Sequence, residues 1–351
     1  MDSIVFVIPG QLTNLTGGYL YNKHVIEGLR KHGWFVELKT LDESFPFPTT
    51  KALKHASGIL ANIQKDSRVV IDGLALSAMP TIIEREALRL RIIALIHLPL
   101  GFDVSLGQKI VSLLRTHEAR SLHASRLIIV TGHTTVKMLN NYKIKRNKIV
   151  VVEPGTERAP LTRGSKNSTL NLLSVATLNP IKGHEILLKA LASIPNRKWK
   201  LTCVGSTTRH PDTTNRLRAM VYRLGLENQV LFTGELDAKR LSYCYNSSDL
   251  FVLATRQETY GMAVAEALAH GLPVVSTTSG AIPNLVGNHA GILVPPGDTK
   301  ALSNALERII NNNALRIKLT QGARLVRKQL EGWEQTSKKM SIALRNLSTH
   351  E

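Results

Sequence analysis

Glu258-Thr-Tyr-Gly-Met-Ala-Val-Ala-Glu266, preceded by Asp249-Leu-Phe-Val-Leu-Ala254 and followed by Ala267-Leu-Ala-His-Gly271-Leu-Pro273-Val-Val-Ser276, is the stretch that decides the fold. Asp249–Ala254 is a short apolar run and reads as a buried strand. The residues between the two glutamates read as a short helix, with Gly271 and Pro273 as its stop signal. Another strand follows at Pro273–Ser276. The order is strand, loop, helix, strand, the building unit of a parallel α/β sheet. In such sheets ligands bind at loops beyond the carboxyl ends of the strands. Glu258 falls in such a loop, and Glu266 about two turns into the helix. Gly261 lets backbone N–H groups approach a ligand closely, and a helix N-terminus attracts phosphate. Thr259, Tyr260 and Met262 share this loop and helix start. The set suits a nucleotide-sugar diphosphate: N–H donors for phosphate, and carboxylates to accept hydrogen bonds from ribose and sugar hydroxyls.

The same alternation runs outward in both directions. Strands are expected at Ile4–Ile8, Val36–Thr40, Val69–Asp72, Arg91–His97, Leu127–Val130 and Ile149–Val152. A helix is expected from about Leu20 to His32, and helical stretches lie between the later strands. The pattern restarts at Leu170–Ala176 and continues near Lys200–Val204, Val230–Thr233, Leu250–Ala254 and Pro273–Ser276. The fold class is therefore α/β, with two Rossmann-like doubly wound parallel sheets. Facing each other, two such halves put an active site in the cleft between them. The expected domains are residues 1–160, residues 161–330 and a C-terminal helix within 331–351, with Trp333 to Leu347 able to return to the first domain. Glu157 to Ser168 is polar, contains Pro and Gly, and reads as an interdomain linker.

Composition narrows the function classes. The 351 residues suffice for two cores, and 43% hydrophobic content is that of a globular chain. No apolar run of about 18 residues is present, so no bilayer-spanning helix is expected. The Met1–Pro9 segment lacks a basic leader and reads as a first strand. Cys203 and Cys244 have no metal-ligand spacing; both read as core thiols in a reducing, cytoplasmic compartment. No Asp-x-Asp or histidine cluster suggests a metal, and the glycine spacing matches neither a dinucleotide fingerprint nor a P-loop. The net charge of +19 favours anionic partners and is spread over both halves. Aromatic content of 5% leaves few stacking platforms for nucleic acid, so no specific nucleic-acid partner is expected.

The Glu258–Glu266 segment resembles the E-x7-E motif of retaining glycosyltransferases with the GT-B fold, most closely glycosyltransferase family 4, the glycosyl transferases group 1. The resemblance covers most of the chain and is strongest from about Leu172 to Asp298. It implies metal-independent transfer of a sugar from a nucleotide-diphosphate donor to a hydroxyl acceptor, a glycolipid, glycan or small molecule. It implies that Glu258 orients the sugar, Glu266 binds the ribose diol, and the backbone at Gly261 and Met262 holds phosphate or sugar. Lys182, in Asn179-Pro-Ile-Lys-Gly183, then neutralises the departing diphosphate. The family's usual second cation is missing, because Thr177 stands in its place. Arg256, or Arg209 in Gly205-Ser-Thr-Thr-Arg-His210, is the candidate substitute, and Gly205 joins the donor-binding set. Gly17 and Gly18, after the first strand, approach donor phosphate or sugar, and His97 at a strand's carboxyl end contacts the transferred sugar. No nucleophile is evident, which suits front-face retention assisted by the leaving phosphate.

Two other classes fit less of the sequence. One is another GT-B enzyme, a sugar-nucleotide epimerase or phosphorylase; the other is a polyanion-binding protein. Two segments bear on an acceptor at an anionic membrane face: Phe102–Arg120, which mixes Leu106, Ile110, Val111, Leu113 and Leu114 with Lys109, Arg115 and Arg120, and the basic run Lys137–Lys148.

Overall fold

Parallel strands that are covered on both faces read as continuous apolar runs, and both halves of the chain are built from them. The computed structural model describes residues 2–104, 106–165 and 167–347. Met1, Ser105, Lys166 and residues 348–351 lie outside them, and with them the first residue of the expected first strand, one residue of the expected linker and the end of the expected last segment. The chain divides into two units, Met1–Gly155 with Trp333–Glu351, and Thr156–Gly332.

The first unit holds β1 (Ser3–Pro9), β2 (Phe35–Leu41), β3 (Arg68–Asp72), β4 (Arg91–Ile96), β5 (Leu127–Val130) and β6 (Ile149–Val151). They form one parallel sheet in the order β2-β1-β3-β4-β5-β6. Side chains alternate between two helical layers: Val7, Ile71 and Ala94 enter one core, while Phe6, Val70 and Ile93 enter the other. The Trp333–Asn346 helix belongs to the second of these cores through Met340 and Leu344. It is pinned by Trp34 Nε1 donating to Ser341 Oγ at 2.8 Å and by Trp333 stacking on His24 at 4.2 Å.

The second unit holds β7 (Leu170–Val175), β8 (Trp199–Val204), β9 (Val230–Gly234), β10 (Leu250–Leu253), β11 (Val274–Thr277) and β12 (Gly291–Val294). Their order is β12-β11-β10-β7-β8-β9, again parallel. In each sheet the winding direction reverses once, between β1 and β3 and between β7 and β10. Ligand-binding crevices of open α/β sheets form at such reversals, at the carboxyl ends of the strands. The topology alone therefore marks the loops after β1 and β3, and those after β7 and β10.

The expected strands occur with ends shifted by a residue or two, and β12 is an addition. Gly291-Ile-Leu-Val294 is a short edge strand with little pattern to display. The segment expected as a linker is not loose. Thr162 N donates to His270 O at 2.8 Å and Arg163 N to Asn246 O at 2.9 Å, so these residues are strapped onto the second unit. The chain accordingly changes unit at 155–156 and 332–333, not at 160–161 and 330–331. Cys203 is a core residue, but Cys244 is only half-buried.

Candidate functional site

The second unit brings three loops together at the ends of the neighbouring strands β7, β10 and β11. After β7 the chain makes a single turn at Pro180–Lys182, capped by Asn179, whose Oδ1 accepts from Lys182 N at 3.1 Å. This turn is tied to the loop after β10: Arg256 N donates to Ile181 O at 2.7 Å, and Thr255 Oγ1 to the same oxygen at 3.3 Å. Gly183, at φ +68°, closes the junction; a Cβ there would stand 1.9 Å from Ala254 O. Only glycine fits both the left-handed backbone and the close approach.

The consequence is an ion pair. Lys182 Nζ meets Glu258 Oε2 at 2.7 Å, with 24% and 13% of the two side chains exposed. The loop after β11 supports Glu258 from below: Ser279 Oγ accepts from Glu258 N at 2.9 Å, and Gly280 lies against Glu258 O. Gly261, at φ +99°, caps the Met262–Ala269 helix. Because that helix begins at Met262, Glu266 is its fifth residue, just over one turn in and not two. Thr259 and Tyr260 lie in the loop between, half-buried.

Glu266 Oε2 accepts from the Tyr245 hydroxyl at 2.9 Å. Tyr245 sits on the Ala238–Asn246 helix and stacks on His270 at 4.8 Å. Burial pushes the Glu266 carboxyl above its ordinary value, and the Tyr245 bond offsets part of that. Beside Lys182, His184 is buried with neither ring nitrogen hydrogen-bonded among the described residues, and desolvation, with the Lys182 charge second, lowers it to about 4. Arg256 is exposed and helps hold Glu185 below the usual carboxylate range, behind the hydrogen bond from Lys189. Arg209 lies 3.5 Å from Glu235. Gly205 has a local reason to be glycine, since a Cβ would meet Ala176 O at 2.1 Å.

At the ligand edge of the first unit, Gly17 and Gly18 are the first two residues of the Gly17–Lys31 helix. One face of this helix presents Gly18, Tyr21 and Asn22 to His97, which follows β4. A Cβ on Gly18 would lie 3.2 Å from His97 Cδ2, and the Tyr21 ring stands edge-on to the imidazole at 5.2 Å. His97 Nε2 is 3.1 Å from Asn22 Oδ1 and 3.6 Å from Asp72 Oδ2. Asn22 Nδ2 donates to Asp72 Oδ2 at 2.7 Å, and Leu74 N to Asp72 Oδ1 at 2.9 Å. Burial opposes ionisation of Asp72, but the neighbouring His97 imidazole, with the Leu74 and Asn22 bonds, holds its carboxyl below the usual range. Sequence reading missed Asp72 and Asn22. The available signal was Asp72 at the carboxyl end of β3, beside β4.

Among the described residues, no three His, Cys, Asp or Glu side chains gather as metal ligands. No helix among them is long and apolar enough to cross a membrane.

Residues 158–326 match the family model described as glycosyl transferases group 1. The D-inositol 3-phosphate glycosyltransferase of Corynebacterium aurimucosum is 26% identical over 219 residues, 57% of this chain and 52% of that protein. The chain thus matches about half the length of such curated relatives. Among solved structures, sucrose-phosphate synthase from Thermosynechococcus elongatus aligns at TM-score 0.84 with 19% identity over 100% of both chains. Anabaena HepE in complex with UDP and glucose aligns at TM-score 0.77 with 18% identity, over 99% of this chain and 100% of that one. The α/β fold of this chain, with its two all-parallel six-stranded sheets, is the one it shares with these two solved structures.

Proposed function

We propose that this chain is a glycosyltransferase that moves a sugar from a nucleotide-diphosphate donor to a hydroxyl acceptor, with retention of anomeric configuration and without a metal, as in glycosyltransferase family 4. The observation that carries the reading is the Lys182–Glu258 ion pair, in the loop that leads into the helix of Glu266 and inside the segment that matches the glycosyl transferases group 1 model. As the glycosidic bond breaks, negative charge grows on the leaving diphosphate. Lys182, poised at 2.7 Å from Glu258, has an ammonium to offer it. Glu258 then accepts hydrogen bonds from the sugar, Glu266 from the ribose diol, and the N–H groups at Gly261 and Met262 cradle phosphate. Arg256 is the second cation in place of the one absent at Thr177. From the first unit, Gly17, Gly18 and His97 attend the sugar. HepE, solved in complexes with UDP and with UDP-glucose, makes uridine donors the first to try.

The +19 charge favours an anionic acceptor, and the curated relatives are named for D-inositol 3-phosphate. A phosphorylated polyol is therefore the first acceptor to test. An acceptor held at an anionic membrane face is a second reading, carried by exposed Val104, Ile110 and Leu113 beside Lys109 and Arg115.

A nucleotide-sugar panel read by thermal shift, followed by product NMR, tests the proposal. The expected result is stabilisation by one nucleotide family, turnover that survives EDTA, and a product with the donor's anomeric configuration. An inverted product ends the mechanism. A sugar epimerised without transfer favours the epimerase class, and binding of random oligonucleotides alone favours a polyanion binder.

A further inference from the structure

The first unit carries a hydrogen-bond relay whose polarity is set by its buried end. Asp72 is 4% exposed, and an ionised carboxylate can only accept. Asn22 must therefore turn its amide nitrogen to Asp72, as the 2.7 Å contact requires. Its amide oxygen then faces His97 Nε2 at 3.1 Å, and an oxygen can only accept. So Nε2 carries the proton, and in the neutral ring Nδ1 is left with its lone pair. Among the described residues Nδ1 has no hydrogen-bond partner. Gly18 and Tyr21 hold the ring from other sides. A carboxylate taken from water costs several kcal/mol unless its partners are well placed, which makes the polarity of the relay hard to reverse.

We propose that Asp72, acting through Asn22, is a positioning residue for His97: it fixes the Nε2–H tautomer and so presents Nδ1 as a hydrogen-bond acceptor to a hydroxyl of the transferred sugar. The tautomer stands on this geometry alone; the identity of the hydroxyl's owner rests on the proposed glycosyltransferase activity. Replacing Asp72 by asparagine supplies a donor at the buried end. Asn22 can then reverse its amide, offer nitrogen to His97 and select the opposite tautomer.

The test has two arms. In the first, 15N-histidine-labelled full-length chain is examined by two-bond 1H–15N NMR well above the imidazole titration range, with His97 assigned from His97→Gln. The expected wild-type spectrum has a protonated Nε2 and a bare Nδ1. Asp72→Asn should move His97 toward Nδ1–H. A wild-type ring protonated at Nδ1, or an Asp72→Asn ring unchanged from wild type, overturns the proposal. If Asp72→Asn fails to fold, the wild-type spectrum decides. In the second arm, with a donor found from the panel, Asp72→Asn should lower kcat ~10-fold with little change in donor KM. In the His97→Gln background the same change should cost less than ~2-fold, because its effect passes through that ring. Equal losses in both backgrounds overturn the positioning role. If no donor turns over at all, the activity fails while the tautomer result still stands.

Discussion

At the edge of the second sheet, a lysine and a glutamate meet at 2.7 Å with 24% and 13% of their side chains exposed. At the edge of the first, a carboxylate only 5% exposed meets an amide at 2.7 Å and an imidazole at 3.6 Å. The first arrangement keeps charge near solvent, ready to exchange one partner for another. The second locks its charge away and exports only an orientation. Strong ligand charge can be answered by the former; the latter can select the direction of a hydrogen bond. On the proposed activity, the second unit should then dominate the diphosphate's departure, and the first should refine sugar geometry.

The sharpest way to break that contrast is Lys182→Ala. Losing a donor aimed at developing charge should slow turnover ~100-fold or more, read from initial rates at saturating donor. A near wild-type rate would mean the exposed ion pair is structural. Glu258→Gln belongs to the same test, since it removes the charge that pairs with the ammonium and turns one of the two oxygens offered to the sugar into an N–H donor.

Arg256→Ala comes next. If the exposed guanidinium supplies the cation missing at Thr177, turnover should fall ~30-fold, and adding Thr177→Arg should restore part of it. Unchanged kinetics in Arg256→Ala would leave Lys182 and backbone amides as the whole answer to the leaving group.

The contrast also explains what could be read in advance. The second edge was legible because Lys182, Glu258, Gly261 and Glu266 lie in two short runs, each directly after a strand. Ser279 and Gly280, which support Glu258, escaped notice because their contacts are to its backbone, and any polar turn can make those. The first edge was half-legible. His97 and the Gly17-Gly18 pair stood out, but Asn22 and Asp72 join them only through a helix face and a neighbouring strand, 50 residues apart in sequence. Both sheets could be read because inner strands such as β4, β5 and β10 are apolar on both faces; β12 could not, being short and at an edge.

Glu266→Gln is expected to have an intermediate effect, weakening nucleoside-diphosphate binding ~10-fold by calorimetry, because a charged acceptor to the ribose diol becomes a neutral one. The pH dependence has a definite sign. Burial raises the Glu266 carboxyl, so its charged form is lost at a higher pH than for a free glutamate. Affinity should therefore fall on acidification through that raised value, and the Gln variant should lack this step. Tyr245→Phe removes the bond that lowers the carboxyl, so it should shift the step to still higher pH. An affinity profile identical in wild type and Glu266→Gln would remove the ribose role.

The smallest effect is expected at Gly18, and it separates two uses of glycine at the two edges. A Cβ on Gly183 or Gly280 would stand 1.9 Å from a main-chain carbonyl oxygen, and both have positive φ, so no side chain can be accommodated there without moving a strand end or a loop. Gly18 is helical, without a positive φ, and the nearest atoms to its missing Cβ belong to the His97 ring, at 3.2 Å. A ring can give by a few tenths of an ångström where a carbonyl cannot. Alanine is also the better helix former, by up to ~1 kcal/mol in a helix interior. Gly18→Ala should therefore leave the thermal midpoint unchanged or slightly raised. Its cost should fall on geometry: the displaced imidazole loses alignment with Asn22, and kcat drops ~3-fold while nucleotide affinity holds. If nucleotide affinity falls instead, Gly18 serves the donor's phosphates directly, as the glycine pair suggested, and its contact with His97 is incidental. If the chain loses stability, the ring is clamped harder than the relay implies, and the first edge is as rigid as the second.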